Sequence, residues 1–194
     1  MNSVSTSSKE VFFISDTHFG HANIIKYSNR PYKDARDMDE TLIDNWNKIV
    51  GQNDTVYHLG DFAFLKLYEF KNILSRLNGK INVVLGNHDK VITCNKRELF
   101  EQGKIVSIKD YDEVTVGDKL VVLHHYGQRV WHQSHRGAYH LYGHSHGSLP
   151  PFGLSVDAGV DSKEITSEYR PVSFEEVRQY MDNRKPEKVD HHGD

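Results

Sequence analysis

The sequence predicts an α/β protein, and three observations carry that prediction. Five short apolar runs, at residues 11–15, 55–59, 81–85, 120–124 and 138–142, are each followed within two residues by a side chain able to ligate a metal or move a proton. Helical periodicity separates the first three runs, and a Gly117-Asp118 turn joins two further extended stretches. Continuous β-branched and aromatic runs of about five residues are the pattern of central strands, and side chains beyond their carboxyl ends converge on a crevice.

The elements follow in order. The first strand, 11–15, runs into Asp16-Thr17-His18. Leu42, Ile43, Trp46, Ile49 and Val50 then fall on one helical face, with Asp37 or Asp39 as the cap and Gly51 as the stop. The second strand, 55–59, ends at Gly60-Asp61; Phe70, Ile73, Leu74 and Leu77 mark a second helix that stops at Gly79. The third strand, 81–85, runs into Gly86-Asn87-His88-Asp89, so the first half reads β-α-β-α-β. Residues 93–107 hold a short helix and then a strand, and 111–116 and 119–123 form a hairpin about Gly117-Asp118. The run 120–124 leads to His125, and 138–142 leads to Gly143-His144-Ser145-His146. Residues 154–158 form a late strand, and Phe174, Val177, Tyr180 and Met181 line a closing helix capped by Ser173.

Carboxylates, an amide and imidazoles are hard and borderline ligands for divalent transition metals, and their delivery by five strand ends to one crevice predicts a dinuclear site. Each string alone is a weak signal, because Asp-x-His and Gly-Asp are common in turns; the ordered set is far more specific. In the doublet His124-His125, successive strand residues face opposite ways, so only one reaches the crevice; His125, at the end of the run, is the expected ligand. His58, inside a strand, is expected to be a satisfied core histidine. His21 either reaches a substrate phosphate or caps its loop. The segment 127–137, with Arg129, Trp131, His132, His135 and Arg136 and followed by His140, is expected to be a solvated loop; the other reading makes it a cleft wall with Arg129 or Arg136 on phosphate.

The order Asp-x-His, Gly-Asp, Gly-Asn-His-Asp, His and Gly-His-x-His, at 16–18, 60–61, 86–89, 125 and 143–146, resembles the calcineurin-like metallophosphoesterase superfamily over roughly residues 11–180. Within it, the stretch 16–21 with Asn23, and the closing stretch 169–173, are similar to a group of small bacterial and phage phosphoesterases. Gly127 and Tyr142 depart from the usual family pattern, which has proline and histidine there. The resemblance implies a four-layer α/β/β/α sandwich of two mixed sheets. It implies that Asp16, His18 and His146 hold one ion, that Asn87, His125 and His144 hold the other, and that Asp61 bridges both through its two carboxylate oxygens. The cofactors so implied are two divalent transition-metal ions, Mn first among Mn, Fe, Zn, Ni and Co. A bridging carboxylate holds such ions about 3.5–4 Å apart, so that a hydroxide between them forms near neutral pH and attacks phosphorus in line. His88 is expected beside the leaving-group oxygen, with Asp89 either accepting its second N–H or acting as a turn residue. His21, Asn23 and Arg129 are the candidate substrate contacts.

The implied activity is phosphate-ester hydrolysis. A small or nucleotide-like phosphodiester is the expected substrate, because the compact chain has no large cap domain; phosphomonoesters, phosphoproteins included, are the alternative. A noncatalytic binding module is the reading from another class, and the presence of His88 with every expected ligand argues against it. Composition agrees. A chain of 194 residues with 37% hydrophobic content suits one domain, expected at 10–183 between loose ends at 1–9 and 184–194, where His191 and His192 are solvated. Net charge of -3 argues against a large nonspecific nucleic-acid surface but allows a nucleotide or short oligonucleotide. No run is long enough to span a bilayer and no apolar leader opens the sequence, so a soluble cytoplasmic protein, of a bacterium or of a phage host, is expected. The single Cys94 excludes an internal disulfide and a thiolate-rich zinc site, and lacks any motif of a nucleophile. Oligomeric state leaves no mark in the sequence.

Overall fold

The computed structural model describes residues 9–187 and residue 189. Of the loose ends expected at 1–9 and 184–194, residues 1–8, 188 and 190–194, with His191 and His192, lie outside the described residues.

Two mixed sheets form the centre. The first has the order β4-β3-β2-β1-β9, built from β1 (Val11–Ile14), β2 (Thr55–His58), β3 (Lys80–Val84), β4 (Ile105–Lys109) and β9 (Val172–Ser173). Strands β1 to β4 are parallel, and β9 returns antiparallel along β1. The second has the order β5-β6-β7-β8, from β5 (Tyr111–Val116), β6 (Lys119–His124), β7 (Tyr139–Tyr142) and β8 (Ser155–Asp157). The hairpin β5-β6 is antiparallel, and β6, β7 and β8 run parallel. All five strands expected to carry site residues are present, and their ends are shifted by a residue or so from the expected bounds.

Helices flank the sheets because their apolar faces have nowhere else to go. α2 (Ala35–Ile49) buries Met38, Leu42, Ile43 and Trp46, and α3 (Leu67–Arg76) buries Phe70, Ile73 and Leu74, against Phe12, Ile14, Val56, Ile81 and Val83 of the first sheet. The α2 cap is Asp34, whose carboxylate accepts from Asp37 N–H at 2.8 Å, rather than the expected Asp37 or Asp39. Asp39 instead accepts from Gly20 N–H at 2.9 Å, fixing the loop after β1. The short helices α1 (Ala22–Tyr27) and α4 (Lys90–Thr93) were not legible in the periodicity, while α5 (Lys96–Gln102) is the helix expected before β4. The opposite face of the first sheet, through Phe13, Leu59 and Val84, meets Val121, Leu123, Leu141 and Val156 of the second in a separate core. α6 (Phe174–Asp182), with Ser173 accepting from Glu176 N–H at its start, adds Val177 and Met181 to that core. The α/β/β/α arrangement is therefore unequal: among the described residues, α1 to α5 add side chains to the first sheet's core and α6 is the α-helix that joins the second.

Candidate metal centre

The loops after β1 and β2 run side by side past the strand ends. Asp16 N–H donates to the Gly60 carbonyl at 3.0 Å, His18 N–H to Asp61 at 3.0 Å and Phe19 N–H to Phe62 at 2.9 Å. This ladder puts Asp16, His18 and Asp61 at fixed spacing. The loops after β6 and β7 approach from the second sheet, where Gly143 N–H donates to the His125 carbonyl at 2.9 Å and His144 N–H donates to the Asp16 carboxylate at 2.9 Å. Gly60, at φ 99°, leaves room for this meeting: a Cβ there would lie 2.7 Å from His125 Nδ1.

Two groups of potential ligands result. Asp16, His18 and His146 offer ligand atoms within 4.8 Å of one another, and so do Asp61, His125 and His144. Asp61 Oδ2 faces both, 3.8 Å from His18 Nε2 and 3.6 Å from His125 Nε2. Asn87 Oδ1 lies 3.1 Å from His125 Nε2, which places it with the second group. His124 turns away, its Nδ1 paired with Tyr126, so the structure puts His125 in the crevice.

The donor chemistry fits divalent ions. His125 Nδ1 donates to the Leu59 carbonyl at 2.7 Å and His146 Nδ1 donates to Asp161 at 2.7 Å, so Nε2 is the nitrogen each ring has left for the crevice, and loss of its proton would free a lone pair there. His18 is 2% exposed, yet neither ring nitrogen has a hydrogen-bond partner. A buried imidazole without a partner is costly unless something else takes its lone pair. The backbone gives a second sign. Eight non-glycine residues among those described adopt positive φ, and five of them are Asp16, His18, Asp61, His144 and His146. Such left-handed residues cost on the order of 1–3 kcal/mol each and cluster where function holds them.

Charge is arranged to match. Burial pushes the Asp16 carboxyl up to about 7, partly offset by the charge of His146. Burial also works to raise Asp61, but the contact and charge of His125 and the His88 N–H outweigh it and bring Asp61 to about 2. At 3.6 Å the His125–Asp61 contact is ionic rather than a hydrogen bond. Burial holds His18 neutral, down to about 3. For His125 and His146 burial opposes protonation, yet neighbouring carboxylates, Asp61 and Asp16 for the first, Asp161 and Asp16 for the second, raise both above the usual imidazole range.

Other expected residues scatter. His88 is exposed and lines a cavity of about 1030 Å³ together with His18, His21, Asp61, His144 and His146. His21 stacks on Phe64, with ring centroids 4.0 Å apart, at the wall of that cavity. Asp89 does not serve His88's ring. Its buried carboxylate accepts from the N–H groups of Asp61 at 2.9 Å, Phe62 at 2.8 Å and Gly86 at 2.8 Å, which ties the β2 and β3 loops together. Asn23 is exposed on α1 and outside the residues that line the cavity. Arg129 is also exposed, its guanidinium 3.9 Å over the Phe152 ring, beside a separate small pocket. His58 is the satisfied core histidine expected, bonded to Thr17 Oγ1 at 2.9 Å and stacked on Phe62. Cys94 is a free, exposed thiol.

Sequence reasoning missed Asp161 and Arg30. The Arg30 guanidinium is buried and donates to Asp161 at 2.9 and 2.7 Å, to the Thr17 carbonyl at 3.0 Å and to the Asp16 carbonyl at 2.6 Å. It ties the His146 partner to the backbone of the first ligand string. Asp161 follows β8 by four residues, beyond the two-residue reach of the strand-end pattern; Arg30 has no sequence signal of its own.

Comparison with known proteins follows the geometry. A family model described as the calcineurin-like phosphoesterase superfamily domain matches residues 10–151. The chain is 49% identical over 86 residues to the uncharacterized protein MJ1445 of Methanocaldococcus jannaschii, a match covering 43% of this chain and 49% of the relative. It is 33% identical over 81 residues to the Gene 66 protein of Mycobacterium phage L5, covering 40% of this chain and 39% of that protein. The matched stretches thus span about half or less of these relatives' own lengths. A crystal structure of a protein of unknown function, AQ665 from Aquifex aeolicus, superposes with a TM-score of 0.66 at 26% identity, covering 89% of this chain and 99% of that one.

Proposed function

Because the chain belongs to the calcineurin-like phosphoesterase superfamily, we propose that it hydrolyses phosphate esters with two divalent metal ions, and that its substrates are small or nucleotide-like phosphodiesters. The observation that carries this reading is the pair of ligand groups with Asp61 Oδ2 between them and the buried, partnerless ring of His18 at their junction. Asp16, His18 and His146 would hold one ion, Asn87, His125 and His144 the other, with Asp61 common to both. The Asp61 carboxylate is itself held by the His88 N–H, which donates to its Oδ1 at 2.8 Å. Bound ions of this kind supply Lewis acidity and make an attacking water acidic near neutral pH; Mn is the first candidate.

The chain's own side chains do the rest. His88, which lines the cavity, would give a proton to the departing oxygen. Asp161 fixes the His146 ring by its 2.7 Å hydrogen bond, and Leu59 does the same for His125. Phe64 and His21, stacked on each other, form one wall of the cavity. An open cavity of about 1030 Å³ leaves room for the second ester arm of a diester.

The test is turnover by the purified chain with Mn²⁺, Ni²⁺, Co²⁺ or Zn²⁺ on bis-p-nitrophenyl phosphate, p-nitrophenyl phosphate and 2′,3′-cyclic nucleotides. Hydrolysis of the diesters, lost together with bound metal in Asp61→Ala, is the expected result. A profile confined to the monoester would replace diesterase by phosphatase, and silence on every substrate with metal bound would leave a noncatalytic binding module.

A further inference from the structure

Beside the metal crevice lies a second groove that the reading above leaves unused. It has a volume of about 610 Å³ and runs along the start of α3 and the segment 90–95. Two residues line both it and the main cavity, Phe64 and His88. Phe64 is the ridge between them, its ring 4.0 Å from that of His21 on one side and 4.9 Å from that of His88 on the other. The proton donor of the proposed reaction therefore stands where the two spaces join.

The groove differs in charge from the rest of the molecule. The chain as a whole is acidic, at -3, yet the groove is lined by Lys66 and Lys90 and by no carboxylate. Both lysines are exposed, and among the described residues neither ammonium is engaged in an ion pair. Leu65, Leu67 and Val91 give it an apolar floor. Asn87 and Asn95 add amides. An apolar floor, amide groups and two free cations suit an organic group that itself carries an anion, and the volume falls in the range of pockets that take small molecules.

We infer that this groove is the leaving-group subsite, and that it selects phosphodiesters whose departing alcohol bears a phosphate of its own, as in one half of an oligonucleotide. The inference rests on the hydrolase reading and adds the direction in which the substrate lies. Water's oxygen bonds to phosphorus, the bond from phosphorus to the leaving oxygen breaks with its electron pair on that oxygen, and the oxygen takes a proton from His88. The proton released by water restores His88. The departing alcohol is then on the His88 side of the ridge, and its own phosphate meets Lys66 and Lys90.

The experiment compares kcat/KM of the Mn²⁺-loaded chain for bis-p-nitrophenyl phosphate, thymidylyl-(3′→5′)-thymidine, and that dinucleotide carrying a further phosphate at its 5′ or its 3′ end. One of the two phosphorylated forms is expected to exceed the plain dinucleotide about tenfold, the yield of two exposed charge contacts of about 0.7 kcal/mol each. The ratio should fall to within about twofold of unity in Lys66→Gln/Lys90→Gln and at high salt, and should persist in Lys48→Gln, which lines neither cavity. Calorimetric binding of thymidine 3′,5′-bisphosphate supplies a readout without turnover, and the double variant should bind it about tenfold more weakly than the unaltered chain. Turnover of bis-p-nitrophenyl phosphate with equal rates on all three dinucleotides, or bisphosphate binding untouched by the double substitution, overturns the groove while sparing the hydrolase. No turnover of any diester removes the diesterase reading, and the leaving-group role falls with it.

Discussion

Metal affinity should rise steeply with pH, and the structure sets the size of the effect. Asp16 has no accessible surface, and burial lifts its carboxyl from 3.8 to about 7, so near pH 6 the metal-free folded chain keeps a proton that an incoming ion must displace. For a pKa near 7 the displacement weakens binding about tenfold at pH 6 relative to pH 8, or about 1.4 kcal/mol. The signs at the other ligands agree. His125 and His146 sit above the usual imidazole range, so each must also lose a proton, whereas His18, held at about 3, is already neutral and adds nothing in this window. Every contribution between pH 6 and 8 therefore favours binding as pH rises, and about tenfold is the smallest change expected. Calorimetric titration of the metal-free chain with Mn²⁺ at pH 6, 7 and 8, in buffers of different ionisation enthalpy, measures affinity and protons released together. An affinity flat across this range, or binding without proton release at pH 6, would refute the placement of Asp16 among the ligands.

Three further outcomes follow from the same geometry. His88→Ala should keep its metal content, read by elemental analysis, while kcat drops by around 10²–10⁴; parallel loss of metal would make His88 a ligand instead. Asp89→Ala leaves three backbone N–H groups without their acceptor, so urea denaturation should show a loss of about 3 kcal/mol, whereas full stability with activity alone impaired would restore it as the partner of His88. Arg30→Met strands buried Asp161 and should cost about 3–5 kcal/mol in the same assay, with a variant as stable as the original chain showing that the pair contributes little.

How far the sequence could be read depended on what kind of signal each residue carried. Strand ends were legible because β-branched and aromatic runs are local, and because the ligand strings begin where those runs stop; β1, β2, β3, β6 and β7 all lie where expected. Alternation allowed only one of His124 and His125 to face the crevice, its place at the end of the run favoured His125, and the two rings point apart. Asp89 stood between two readings, partner of His88 or turn residue, and its hydrogen bonds favour the second for a physical reason. Adjacency in sequence suggested a bond to His88, but a carboxylate one residue further round the turn faces inward, where unpaired N–H groups of two loops need an acceptor. Arg30 was illegible because its partners lie at 16, 17 and 161, and no local pattern encodes a contact of such sequence distance. Asn23 was named from the narrower resemblance and Arg129 as a cation that could pair with phosphate; Asn23 stands exposed on α1 and Arg129 lies over Phe152, neither lining the main cavity.

The strained backbone explains why so much buried polar structure surrounds the ligands. Asp16, His18, Asp61, His144 and His146 all hold a left-handed conformation that each would leave if its loop were free. What keeps them there is made of the chain itself. The paired loops after β1 and β2 exchange backbone hydrogen bonds, Asp89 gathers three N–H groups across β2 and β3, and Arg30 grips the carbonyls of Asp16 and Thr17 while neutralising Asp161. These contacts do not involve the crevice nitrogens, so they hold the ligands in place before any ion arrives. Preorganisation of that kind would lower the ordering entropy of metal binding by the proposed ligands, because folding has already met the cost of their strained backbone. It also predicts where sequence change is tolerated: the ridge at Phe64 and the lysines of the second groove lie outside this frame, so substrate preference can shift there without disturbing the ligands.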